Sequence, residues 1–86
     1  MIGIQVSIYP LREKEISPAL NKFWEKLKES ELKFEVNSFA TIIWGEEDRI
    51  FDFLKDVWKE VTKDRSVVMV VTLSNACTPD FKLDRL

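Results

Sequence analysis

Residues 67–77 read Val-Val-Met-Val-Val-Thr-Leu-Ser-Asn-Ala-Cys. The first five are apolar and uncharged, and all but Met69 are β-branched. Such a run predicts a strand buried on both faces. It closes on two hydroxyls and an amide, Thr72, Ser74 and Asn75. Those are the groups in this chain that come nearest to a site. The segments on either side decide what holds the strand and what its polar end meets.

Immediately upstream, Ile50, Leu54, Val57, Trp58 and Val61 recur at helical spacing, with Phe51 beside them. Glu46, Glu47 and Asp48 crowd the start of this helix, and Lys59, Lys63 and Arg65 its end. Both signs are those the helix dipole favours. Before it, residues 39–44 read as a strand stopped by Gly45. Leu32, Phe34 and Val36 alternate with Lys33, Glu35 and Asn37 in another strand. Asn37-Ser38 is a turn signal, so these two strands make a hairpin. Ser17-Pro18 opens an earlier helix, with serine as N-cap and proline at the first helical position. Leu20, Phe23, Trp24 and Leu27 form its apolar stripe, and it ends near Ser30 without a capping glycine. At the front of the chain, Ile2, Ile4, Val6 and Ile8 alternate with Gly3, Gln5, Ser7 and Tyr9. This is a half-buried strand, expected to end at Pro10, which cannot donate to a ladder. Pro79 breaks the far end, and residues 80–86 form a short tail.

The order is βαββαβ. Right-handed crossovers and short connections fold it most simply into an α+β, ferredoxin-like sandwich. The expected sheet is antiparallel with strand order 4-1-3-2 and both helices on one face. At 86 residues this is one domain, 1–86, with a thin core. The other sheet face is left uncovered. If Val67, Met69, Val71 and Leu73 face the helices, Val68 and Val70 face outward, and a second subunit is the expected cover. The same outward parity carries Gln5, Ser7 and Tyr9 on the first strand and Thr72 and Ser74 on the fourth. Hydroxyls and an amide beside apolar walls are what a small-molecule pocket presents, although the same groups also suit a sheet face open to water. In the third strand Thr41 shares a parity with Ile43, and Trp44 with Ile42. Only one set can face the pocket.

The composition narrows the function classes. Charged residues make up 33% and the net charge is −2, with no basic cluster. Nucleic-acid binding needs clustered Lys and Arg, so none is expected. The chain has no histidine and one cysteine, Cys77. A His-based triad, an internal disulfide and a CxxC metal site are therefore unavailable. No stretch approaches the roughly 20 apolar residues of a membrane helix, and residues 2–8 lack a basic n-region. No membrane association and a cytoplasmic location are expected.

Three stretches carry a resemblance. Gln-Val-Ser-Ile-Tyr-Pro-Leu (5–11), Ala-Thr-Ile-Ile-Trp-Gly (40–45) and Val-Met-Val-Val-Thr-Leu-Ser-Asn-Ala-Cys (68–77) resemble the YkoF-like thiamine-binding proteins. The resemblance implies a ferredoxin-like, non-catalytic protein that binds thiamine or its hydroxymethylpyrimidine part, with no cofactor. It also implies a homodimer or homotetramer. The family's strand-end Ser and Pro fall on Ser7 and Pro10, its third-strand Thr on Thr41, and its Ser-Asn-Ala ending on Ser74, Asn75 and Ala76. Two departures stand out: Asn37-Ser38-Phe39-Ala40 replaces the usual Gly-Pro-Met-Ser, and Trp44 replaces an acidic residue before Gly45. The ligand-binding residues expected are Gln5, Ser7, Thr41, Ser74 and Asn75, each able to donate and accept, at a subunit interface on the open sheet face. Trp44 could stack on a flat cation. An alternative is a regulatory or structural module that binds another protein through the same face. An acylphosphatase-like enzyme using Arg12 lacks the glycine-rich phosphate cradle, since Gly3 and Gly45 are the only glycines.

Overall fold

A computed structural model of the chain describes residues 1–11, 17–37, 40–63 and 65–76. The elements follow in the order β1 (Ile2–Leu11), α1 (Ser17–Ser30), β2 (Lys33–Val36), β3 (Thr41–Gly45), α2 (Glu47–Val61) and β4 (Ser66–Ser74). The four strands form one antiparallel sheet ordered β2-β3-β1-β4. This is the ferredoxin-like arrangement expected from the pattern of elements. The N-cap reading of Ser17, the turn residue Ser38 and the roles of Arg12, Phe39, Cys77 and Pro79 lie outside the side chains described.

The core lies between the sheet and the helices. Ile2, Ile4 and Val6 of β1 and Ile43 of β3 meet Phe23 and Leu27 of α1 and Ile50, Phe53, Val57 and Val61 of α2. Phe23 and Phe53 meet edge to face at a centroid distance of 6.0 Å, which locks the two helices together. Trp58, expected on the buried stripe of α2, is exposed, and Phe53 takes the inward place. The reason is the position of α1. At 100° per residue Phe53 turns toward α1, whereas Trp58 turns to the opposite flank.

The C-terminal ends of both helices are closed by local bonds. Glu31 adopts a left-handed backbone, φ 59°, just past α1. That is the position a glycine usually fills. The Ser30 hydroxyl donates to Leu27 C=O (2.6 Å) and accepts from Leu32 N–H (3.1 Å). At the end of α2 the Arg65 guanidinium donates to Val61 C=O at 3.2 Å, matching the expected cationic end. Arg49, in the first turns of α2, donates to Ser30 C=O at 2.8 Å and ties the two helices together. A Cβ on Gly45 would sit 2.7 Å from Leu32 Cδ2, so glycine is needed there for close approach.

Three expectations about the strands change. β1 does not stop at Pro10; it runs to Leu11, with Pro10 opposite Val67. β3 pairs with β1 only as far as Val6 opposite Thr41. Pro10 therefore stands where β1 has β4 alone as a neighbour, and a missing N–H is tolerated on such a vacant side. β4 is not buried on both faces. It is an edge strand, and Val68, Val70, Val71 and Leu73 are all exposed. Val67 and Met69 alone pack against the core. The parity of β3 is also settled: Thr41 and Ile43 are buried toward the helices, and Ile42 and Trp44 lie half-buried on the open face.

Candidate functional site

The sheet is notched. The β1–β3 ladder ends at Val6 and Thr41, while the β1–β4 ladder continues for five more pairs, from Ser7–Val70 to Leu11–Ser66. The cause is the β2–β3 connection, which turns the chain aside. Asn37 N–H donates to Ala40 C=O, and the Asn37 side-chain carbonyl accepts from Ala40 N–H, both at 3.0 Å. This Asx-type turn fixes where β3 begins. Beside the stretch of β1 that β3 does not reach lies a cleft of about 240 Å³.

The walls of the cleft come from three elements. β1 supplies Ser7 and Tyr9, α1 supplies Phe23 and Trp24, and the hairpin supplies Asn37 and Thr41. Trp24 is held edge-on to Phe23 at 5.5 Å and tilted against Phe34 at 6.5 Å. Two ring contacts leave the indole little freedom to turn. Thr41 is the one buried polar residue among those described. On the helix side the cleft combines the aromatic walls with the Thr41 hydroxyl and with Val6 and Ile8, Asn37 lines it from the hairpin, and Ser7 and Tyr9 border it from the open-face parity of β1. This mix suits a small, flat, polar-edged molecule.

The five residues expected to bind ligand do not form one cluster. Ser7 and Thr41 both line the cleft. Gln5 and Ser74 lie toward the other end of the open face, where Gly3 pairs with Ser74 and Gln5 with Thr72. Gln5 and Ser74 are diagonal neighbours there, with Trp44 opposite Gly3 on the other side. From Ser7 to Gly3 is four residues, roughly 13 Å of strand. Thr41 is not on the open face at all; it points between sheet and helices. Asn75 is exposed in the bend after β4, where the Ser74 hydroxyl accepts from Ala76 N–H at 3.0 Å. Trp24 and Asn37 were not expected at a site. The signal for them was the length mismatch between β1 and β3, which places the α1 aromatics over a vacant lane.

Charge gathers elsewhere. A second groove of about 360 Å³ runs between the helices and is lined by Lys26, Glu29, Arg49, Asp52 and Asp56. Among the described residues no group of three or more Cys, Asp or Glu is placed to hold a metal ion. No helix is long and apolar enough to cross a membrane.

Comparison with known proteins places this geometry. No curated protein matches the chain. A hypothetical protein from Methanocaldococcus jannascii is similar over 98% of this chain and 89% of its own, at 27% identity and a TM-score of 0.77. A protein from Streptococcus pneumoniae reaches a TM-score of 0.81 at 19% identity, over 98% of this chain and 93% of its own. A Thermotoga maritima protein, provisionally named for thiamine biosynthesis or salvage, aligns over 85% of this chain and 81% of its own. Its identity is 19% and its TM-score 0.76, and at that identity the likeness shows the fold. The model of the YKOF-related family matches residues 1–80, the whole βαββαβ frame, and the chain belongs to that family.

Proposed function

We propose that this protein binds thiamine or its hydroxymethylpyrimidine part and performs no chemistry on it. The observation that carries the reading is the cleft beside β1, with Trp24 and Phe23 on its walls and Thr41 at its base. Its volume suits the smaller of the two ligands. A dry cavity of about 150 Å³ takes one benzene ring, so about 240 Å³ accommodates one substituted pyrimidine. The pyrimidine's ring nitrogens accept and its amino group donates, which the Thr41 hydroxyl can answer in either sense. The thiazolium of whole thiamine then projects past Tyr9 toward the open face.

That face is the surface for a second copy. Tyr9, Val68 and Val70 are exposed there side by side on neighbouring strands. A homodimer or homotetramer that buries them also closes the mouth of the cleft and covers Gln5, Ser74 and Trp44. The ligand is thus bound at a subunit interface, with the pyrimidine in one protomer's cleft.

Titration calorimetry with hydroxymethylpyrimidine and with thiamine tests this. Both ligands should release heat, and Thr41→Val should weaken both, whereas Ser74→Ala should weaken thiamine alone or neither. No heat and no thermal shift at millimolar ligand would end the proposal. Equal weakening of hydroxymethylpyrimidine by Ser74→Ala would move the ring to the other end of the face.

A further inference from the structure

One backbone bond fixes which way each residue of the sheet turns its polar groups. Asn37 N–H donates to Ala40 C=O, so these two residues face each other as a hydrogen-bonded pair at the end of the β2–β3 ladder. In an antiparallel strand the N–H and C=O of one residue point to the same side, and the side alternates along the strand. Ala40, Ile42 and Trp44 therefore bond toward β2, and Thr41, Ile43 and Gly45 toward β1. Their partners across that ladder are Val6, Ile4 and Ile2. Continuing along β1, Ser7 and Tyr9 turn to β4, opposite Val70 and Val68. Ile8 turns back to the side of β3, where the ladder has already ended at Val6. Pro10 falls on the same side, which suits a residue with no N–H to place. Among the described residues no backbone bond reaches Ile8 across that lane. Ile8 lies instead along the cleft, together with Thr41, Phe23 and Trp24.

We infer that the main chain of Ile8 reads the pyrimidine: its N–H donates to a ring nitrogen, and its C=O accepts from the amino group on the adjacent carbon. The inference rests on the reading of the cleft as a pyrimidine site and narrows the ligand class. A hydrogen-bonded pair in an antiparallel ladder exchanges two bonds, one in each direction, between two residues. A ring nitrogen beside an amino group presents the same pattern on one flat edge, an acceptor next to a donor. The edge of the ligand takes the place of the β3 residue that the ladder lacks. Side chains on the helix side cannot make this distinction. Trp24, held by Phe23 and Phe34, is an apolar wall, and the Thr41 hydroxyl donates or accepts equally well. The polarity of a main-chain N–H and C=O is fixed. The class selected is an aromatic heterocycle with an amino group next to an unprotonated ring nitrogen. A ring with hydrogen in place of the amino group supplies one bond of the two and leaves the Ile8 carbonyl without a partner.

Amide exchange followed by NMR on the whole protein tests this at Ile8. Without ligand, the Ile8 N–H should exchange about tenfold or more faster than those of Ser7 and Tyr9, which bond β4. Saturating hydroxymethylpyrimidine should shift the Ile8 amide resonance and slow its exchange by about tenfold or more. In calorimetry the analogue with hydrogen in place of the amino group should bind about tenfold or more weakly, and that ratio should persist in Thr41→Val. An Ile8 amide as protected as its two neighbours in the free protein would overturn the inference. So would hydroxymethylpyrimidine that binds and leaves the Ile8 resonance unmoved, an amino-free analogue that binds equally well, or a ratio that vanishes in Thr41→Val. Those last three results would leave the cleft a pyrimidine site read by other groups. A protein in which no amide responds to millimolar hydroxymethylpyrimidine would remove both the inference and the reading beneath it.

Discussion

Ile4 and Leu73 face each other across the β1–β4 ladder on the same side of the sheet, yet one is 1% exposed and the other 51%. Val6 and Val71, one pair further on, repeat the contrast. The side chains are nearly equivalent. What differs is the roof, because α2 sits over β1 and leaves β4 outside. Hydrophobicity states what a strand can bury, and its place in the sheet decides what the isolated fold does bury. In β1 the alternating pattern is consumed by the core. In β4 the unbroken pattern is left over, and a surplus of this kind is how a chain keeps surface for further contacts.

The contrast can be broken by substitution. Ile4→Ala should cost about 2–5 kcal/mol, the range for emptying a closed core site. Leu73→Ala should cost less than half of that, and urea denaturation of the two variants side by side would measure it. Equal costs would mean that the two strands are buried alike. Val68→Lys together with Val70→Lys should leave the fold intact and reduce the assembly to single chains by sedimentation. A parent that already sediments as a single chain would refute the covered face. Gly45→Ala probes the packed end of β1, where Ile2 pairs with Gly45. Leu32 must swing aside to admit the new Cβ, so a loss of about 1 kcal/mol, the low end for overpacking, is expected in thermal melts. Thr41→Val keeps shape and removes one hydroxyl. Hydroxymethylpyrimidine binding should weaken roughly 2- to 10-fold, the span of one hydrogen bond, with the melting point of the ligand-free protein little changed.

Much of the frame was legible because its signals are local. Period-two alternation marked β1 and β2, and the charge bias marked where α2 begins and ends. What escaped was relational. The stripe of α2 could be centred so as to bury Trp58 or Phe53, and only the location of α1 decides between them. An apolar run does not say whether a strand is central or at an edge. The side on which Thr41 falls depends on where the Asn37–Ala40 turn starts β3, and moving that start by one residue would exchange its two faces. The lining of the candidate cleft was half legible for the same reason. Ser7 and Thr41 could be named from their chemistry and from family likeness. That Ser74 stands some 13 Å from Ser7, and Gln5 about half as far, follows from register, which no single stretch of sequence contains.

Pro10 makes the vacancy beside β1 permanent. Its nitrogen bears no proton, and the β4 ladder runs on past it, so the ring is tolerated only with that nitrogen turned toward the empty lane. A lengthened β3 would find no donor there and could not zip the gap shut. An imino acid near the end of the first strand thereby keeps a doorway from healing over, at a spot where ordinary backbone chemistry would otherwise close it.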